Sequence, residues 1–161
     1  MADMLVKLFN LESTTSLEEK LLKEGIRIKR CLSPDRTLVM EFAKTLGDMN
    51  WYNEVNAAFS NNPVTCYVAT LNKKIIGFAA FEATAKNFFG PMGVKEEYRN
   101  KGIGKVLLLK ALHSMEEMGY AYAIIGWPDK KAIPFYQKCV NGVMIDEESS
   151  GVYKRMVEID E

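Results

Sequence analysis

The chain has 161 residues, 48% of them hydrophobic, which is enough to build one domain around a real core. Twenty-one Lys and Arg balance twenty-one Asp and Glu, which argues against a protein held to nucleic acid or a membrane surface by its overall charge. The single His113 and the cysteines Cys31, Cys66 and Cys139, without metal-type or redox-type spacing, argue against a zinc site, a Ser-His-Asp triad or a disulfide framework.

The N-terminus has no basic region followed by a long apolar run, and no stretch approaches the roughly 18 apolar residues of a membrane span. The expectation is a soluble cytoplasmic protein without a metal. A strand-like run covers residues 6–11, and Ser16 ahead of Glu18 and Glu19 starts a helix that Gly25 ends. These first 25 residues read as a strand/helix extension. GIRIKRCL is then a strand, and SPDRTLVMEFAKTLG a helix with Ser33 as N-cap, Pro34 at its first position and Gly47 at its end. WYNEVNAAFS is a second helix.

From Val64 the pattern turns to β. Residues 64–71 and 74–82 are β-rich runs joined at Asn72-Lys73, a hairpin. Residues 88–94, FFGPMGV, form a third strand whose Gly90, Pro91 and Gly93 fit a bulge or a splayed edge better than a regular central strand. From Gly102 to Met118, apolar Ile103, Val106, Leu107, Ala111, Leu112, Met115 and Met118 recur at helical spacing, and Gly119 ends the run. YAYAIIGW is a buried-type strand, and DKKAIPFYQKC a short helix whose start Pro134 delays or which it kinks. VMID and GVYKRMVEI are expected as closing strands. Together these elements predict a single α/β (α+β) domain with a mixed, mostly antiparallel sheet flanked by helices, its core spanning about residues 26–157.

The run YRNKGIGK places Arg99, Lys101 and Lys105 around two glycines at the start of a helix. Cations are unfavourable there, by about 0.3–1 kcal/mol each, because the helix terminus already carries positive charge and unpaired N–H groups. An anion resolves the conflict, and a pyrophosphate fits it. The letters do not match a Walker A loop, which needs glycine where Arg99 stands and Ser or Thr at Val106. Nor do they match the dinucleotide fingerprint, which needs a third glycine where Leu107 stands.

The pattern that fits is Arg-x-x-Gly-x-Gly. With the preceding FFGPMGV, the following strand AYAIIGW and the helix AIPFYQK, the chain resembles the GNAT acetyltransferase superfamily over about residues 26–157. The resemblance implies acetyl-CoA as co-substrate, its pyrophosphate held by Arg99, Asn100, Lys101, Gly102, Ile103, Gly104 and Lys105. It also implies that the strand carrying Met92, Gly93 and Val94 splays from its neighbour and holds the thioester arm. Tyr136 matches the family tyrosine near the cofactor sulfur and is expected as general acid. Asp129 stands where many members have an asparagine that contacts the same arm, and a carboxylate changes that contact.

The general base cannot be carried over by position. Glu82, at the end of IIGFAAFE, and Glu54, on WYNEVNAAF, are candidates by residue type. Trp51, Tyr52, Phe88, Phe89 and Trp127 are candidates for the acceptor cleft. The implied function is acetyl transfer to a primary amine of a small molecule or peptide, with a homodimer through GVYKRMVEI compatible with the pattern. Two alternatives stay open: a non-catalytic acyl-CoA-binding or sensing module, and a protein-interaction domain without cofactor affinity.

Overall fold

The computed structural model describes residues 1–146 and 148–159. Strand β1 (Met4–Lys7) starts two residues earlier than its sequence pattern suggests, because Met4 and Val6 alternate inward and are fully buried. Asn10, with φ 83°, turns the chain before helix α1 (Thr15–Lys23). Gly25, at φ 82°, ends that segment as expected, in a conformation that glycine adopts without steric cost.

Strand β2 (Ile26–Arg30) leads into a short 3-10 turn over Ser33–Asp35 and then helix α2 (Arg36–Leu46). Ser33 is therefore not the cap of a single long helix. The Asp35 carboxylate instead accepts from the Leu32 amide at 2.9 Å, which tightens the first turn. Helix α3 (Met49–Ala58) is capped by Asp48, which accepts from the amides of Asn50 (2.9 Å) and Trp51 (3.3 Å).

Strands β3 (Cys66–Leu71) and β4 (Lys74–Phe81) form the expected hairpin. Asn72 and Lys73 both take positive φ, the geometry that matches strand twist in a two-residue turn. Strand β5 (Phe88–Val94), helix α4 (Ile103–Glu117), strand β6 (Tyr122–Ile125), helix α5 (Ile133–Val140) and strand β7 (Val143–Met144) follow. Pro134 lies in the first turn of α5, where its missing N–H costs no helical hydrogen bond, so it starts the helix rather than kinking it.

One expected strand is absent. In GVYKRMVEI, Val152–Arg155 form a 3-10 turn. Its backbone is committed elsewhere: the Gly151 amide donates to the Met1 carbonyl (2.7 Å) and the Val152 amide to the Asp3 carboxylate (2.8 Å). A homodimer formed by strand pairing of this segment thus loses its element.

The seven strands form one sheet in the order β2-β3-β4-β5-β6-β1-β7, antiparallel except where β5 meets β6. Helices α1, α4 and α5 bury one face around Phe81, Leu107, Leu112 and Met115, while α2 and α3 cover the other around Val39, Val55 and Phe78. Strand β4 is buried on both faces, which is why its sequence reads as a continuous apolar run. Cys31 and Cys66 are buried free thiols, and the hydrogen bond with Cys31 together with burial pushes the Cys66 thiol well up, which disfavours its reactive thiolate.

Candidate active site

The sheet divides at its centre. Strands β5 and β6 pair only through Phe88–Ile124 and Phe89–Ile125, and beyond Phe89 they separate. Gly90 sits at φ 118°, and the β4–β5 register shifts between Ala79 and Phe81, so the strand bends where the two part. The Lys95 amide bonds to the Ile76 carbonyl, so alternation turns the backbone of Gly93 toward β4 and that of Met92 and Val94 toward the gap. The Val94 carbonyl accepts from Arg99 Nε at 3.1 Å. The amide and carbonyl of Met92 and the amide of Val94 thus face the gap, and among the described residues β6 does not pair with them.

The gap opens into a cleft of about 1860 Å³. Small-ligand pockets hold roughly 300–1,000 Å³, so the cleft has room for a long cofactor and a second reactant together. Its lining includes Met92, Gly93, Val94, Arg99, Asn100, Gly102, Ile103, Gly104, Lys105 and Asp129.

At one end the loop before α4 turns through Asn100 (φ 65°) and Gly102 (φ 90°). Among the described residues no acceptor pairs with the amides of residues 100–105; the first amide satisfied within the helix is that of Val106, bonded to the Gly102 carbonyl at 3.1 Å. Consecutive free amides at the positive end of a 15-residue helix form an anion cradle. Gly102 is favoured by its φ, while the nearest neighbour of an added Cβ, Leu17 Cδ1 at 3.0 Å, belongs to a flexible side chain that can turn aside. Gly104 is different: an added Cβ would meet Met92 Cε and Phe135 Cζ at an ordinary 3.5 Å. Packing therefore does not demand glycine there, and the position is open on the side of the amides.

The three cations are arranged unequally. Lys101 lies outside the cleft lining and pairs with Glu24 at 3.4 Å, and Lys105 pairs with Glu12 at 2.8 Å, which raises the Lys105 ammonium pKa. Acidic residues of the N-terminal extension thus offset part of the charge conflict that the sequence suggested an anion alone would resolve. Arg99 has no carboxylate partner among the described residues.

Tyr136 is buried against Phe89 and Phe135 and lines the cleft. Burial, aided by the nearby Cys139 thiol, pushes its phenol pKa well up, and no protein group among the described residues hydrogen-bonds its hydroxyl. It keeps its proton throughout the neutral range. Asp129 builds the turn before α5: its carbonyl accepts from the amides of Ala132 (2.7 Å) and Ile133 (3.1 Å), and its side chain from that of Lys131 (3.2 Å).

The other end holds Glu54. One oxygen, Oε1, accepts from the Tyr153 hydroxyl at 2.5 Å and from the Thr84 hydroxyl, while Oε2 has no partner among the described residues. Burial raises the Glu54 pKa; the two hydroxyls oppose this, and the charge of Asp48 adds to it. Glu82 is not in the cleft. Its carboxylate is taken up by the Asn87 amide (2.5 Å) and the Tyr120 hydroxyl (3.0 Å), where it braces the β4–β5 connection.

Of the expected acceptor aromatics, Trp51, Phe89 and Trp127 line the cleft. Tyr52 instead packs under Lys44, and Phe88 lies beside Gly126. Trp127 Nε1 is buried and has no hydrogen-bond partner among the described residues, a donor that a bound molecule can satisfy. Tyr153, Thr84 and Asp48 were not found from the sequence. Tyr153 and Glu54 are 99 positions apart, and no local pattern links them.

The described residues contain no cluster of metal-ligating side chains and no helix long and apolar enough to cross a membrane. No curated protein matches the chain. Among solved structures, it is similar to a fungal glucosamine N-acetyltransferase region within a multi-domain β-N-acetylglucosaminidase (TM-score 0.68, 15% identity), covering 89% of this chain and 19% of that one. A putative acetyltransferase from Pyrococcus horikoshii aligns at TM-score 0.55 and 18% identity, covering 71% of this chain and 42% of that one. An aminoglycoside acetyltransferase from an uncultured soil metagenomic sample aligns at TM-score 0.53 and 16% identity, covering 73% and 89%. The chain thus spans under half the length of the first two, and at these identities the likeness shows the fold alone. The family model for acetyltransferases of the GNAT type matches residues 27–140, a stretch containing the β5–β6 gap, the amide cradle and Tyr136, and the chain belongs to that family.

Proposed function

We propose that the protein is an acetyl-CoA-dependent N-acetyltransferase acting on a primary amine of a small molecule or peptide. The observation that carries this reading is the run of unpartnered amides at residues 100–105, opening into the same cleft as the free backbone edge of β5. That pairing suits a ligand with a pyrophosphate at one end and an amide-rich arm at the other. Arg99, the loop amides and Gly104 would hold the pyrophosphate, and the backbone of Met92 and Val94 the arm.

Acetyl-CoA supplies an activated acyl carbonyl and a thiolate leaving group. The chain supplies proton management at both ends. Glu54 Oε2 accepts a proton from the incoming ammonium, because the amine attacks only when neutral, and Tyr136 keeps a donor available for the departing sulfur. That the fungal and soil relatives are described as glucosamine and aminoglycoside acetyltransferases supports including hydroxyl-bearing amines among the acceptors tried.

The test is thermal unfolding with acetyl-CoA, dephospho-CoA and ATP, followed by thiol release with glucosamine, kanamycin, spermidine and a lysine peptide. A ligand at 100 times its Kd stabilises the fold by about 2.7 kcal/mol, several degrees here. A shift with acetyl-CoA but not ATP, then thiol release that depends on the amine, is the expected result. A shift without turnover with any amine would favour a sensing module, and no shift at millimolar acetyl-CoA would refute the cofactor.

A further inference from the structure

We infer that the C-terminal turn Val152–Arg155 is part of the acceptor site, and that Tyr153 is the positioning residue that fixes the base Glu54 with Oε2 free to take the amine proton. The inference rests on the acyl-transfer reading and adds to it a residue outside the family-matched stretch, which ends at 140.

The geometry that carries it is a set of three contacts. Tyr153 donates to Glu54 Oε1 at 2.5 Å, Thr84 donates to the same oxygen, and the two hydroxyls lie 3.0 Å apart. Two donors from separate elements converge on Oε1 and hold it, and Oε2 has no partner among the described residues. All three residues line the cleft. The Tyr153 and Trp127 rings pack at a tilt, centroids 5.6 Å apart, and the buried Trp127 indole N–H has no partner among the described residues. The turn therefore brings a second ring and a fixed carboxylate beside a free donor in the same cleft.

The turn is itself anchored. Asp3 accepts from the Val152 amide (2.8 Å) through one oxygen and from the Trp127 amide (3.1 Å) through the other, and the Gly151 amide donates to the Met1 carbonyl. An added Cβ at Gly151 would lie 2.3 Å from Asp3 Oδ1 and 2.7 Å from the Trp127 ring, so the chain passes there as close as glycine permits. This anchoring holds Tyr153 in place although it lies on a turn.

The proton step is simple. One ammonium proton moves to Glu54 Oε2, leaving a neutral amine, and the carboxyl group afterwards returns that proton to water. The groups acting on Glu54 are Asp48 at the head of α3, Thr84 from the β4–β5 connection and Tyr153 from the turn, with Asp3 behind Tyr153. Arg155 and Glu158 also line the cleft. The hydroxyls stabilise the charged form, so removing one raises the pH at which Glu54 ionises.

The experiment is carbon-13 NMR of glutamate carboxyls across a pH titration, in the wild type, Tyr153→Phe and Thr84→Val, with Glu54→Gln to assign the signal. The acetyl-CoA thermal shift is measured in parallel. The expected result is a Glu54 titration that moves to higher pH in both variants while the acetyl-CoA shift is unchanged. For any acceptor found among the four amines, the acid limb of kcat/KM moves the same way. An unchanged Glu54 titration in Tyr153→Phe, whatever Thr84→Val does, beside a normal wild-type acetyl-CoA shift, overturns this inference alone. Absence of the shift in the wild type overturns the acyl-transfer reading and this inference with it.

Discussion

Substituting alanine at the two loop glycines should move stability and ligand binding in opposite senses. At Gly102 the backbone holds φ 90°, and a Cβ would lie 3.0 Å from Leu17 Cδ1. An L-residue in the left-handed region costs roughly 1–3 kcal/mol, while the Leu17 contact is eased by a rotation of that flexible side chain. Gly102→Ala should therefore lose about 1–3 kcal/mol, and at roughly 2–4 °C per kcal/mol its Tm should fall by about 2–12 °C. At Gly104, inside the first turn of α4, a Cβ meets only ordinary contacts at 3.5 Å. Gly104→Ala should be unchanged or up to about 1 kcal/mol more stable, since alanine restricts the unfolded chain.

Binding should respond differently. A methyl group at Gly104 stands between a phosphate and the amides, and each charge-assisted hydrogen bond lost there is worth about 1.5–3 kcal/mol. The Kd for acetyl-CoA should therefore rise at least about tenfold in a protein that unfolds no earlier. Calorimetric titration beside thermal unfolding reads both quantities. If Gly104→Ala binds acetyl-CoA as the wild type does, the cradle is not where the phosphates sit. If it unfolds well below the wild type, the packing argument for a spare position is wrong.

Other substitutions separate the remaining roles. Arg99→Ala should weaken acetyl-CoA binding about tenfold by titration. Lys101→Ala, removing an exposed ion pair with Glu24, should change stability by less than about 0.5 kcal/mol and leave affinity nearly intact. Tyr136→Phe should keep the wild-type Tm and acetyl-CoA affinity, because its hydroxyl makes no hydrogen bond among the described residues, while kcat falls by up to about a hundredfold in steady-state assays. Glu54→Gln should lower kcat/KM by about a hundredfold or more without lowering stability at neutral pH. Its folded pKa is raised, so the folded state binds the extra proton, and wild-type stability falls as pH rises from the unfolded glutamate value through the raised one. Thermal unfolding against pH should therefore show the variant gaining on the wild type across that window, and a gap constant with pH would refute the burial argument.

Much of the fold follows from local chemistry. Apolar residues at helical spacing fix α4, and the pair of positive-φ residues at Asn72 and Lys73 closes the central hairpin. Gly90, Pro91 and Gly93 in FFGPMGV already mark β5 as a strand that does not pair evenly on both sides, and the structure shows it leaving β6 after Phe89. The cradle was equally legible, because glycines and a helix start are short-range features.

The acceptor end was not legible. Glu54 and Glu82 are both carboxylates flanked by apolar and aromatic residues. Only the packing of the connection after β4 commits Glu82 to the Asn87 amide and the Tyr120 hydroxyl and leaves Glu54 in the cleft. GVYKRMVEI has the composition of a strand, yet Asp3 and Met1 take its backbone into a turn. The sequence by itself thus determined the elements and the anion loop, because residues within a few positions of one another set backbone propensity and helix-end charge. Only the tertiary structure decided which carboxylate faces the cleft and what holds it, because those contacts join residues up to 149 positions apart.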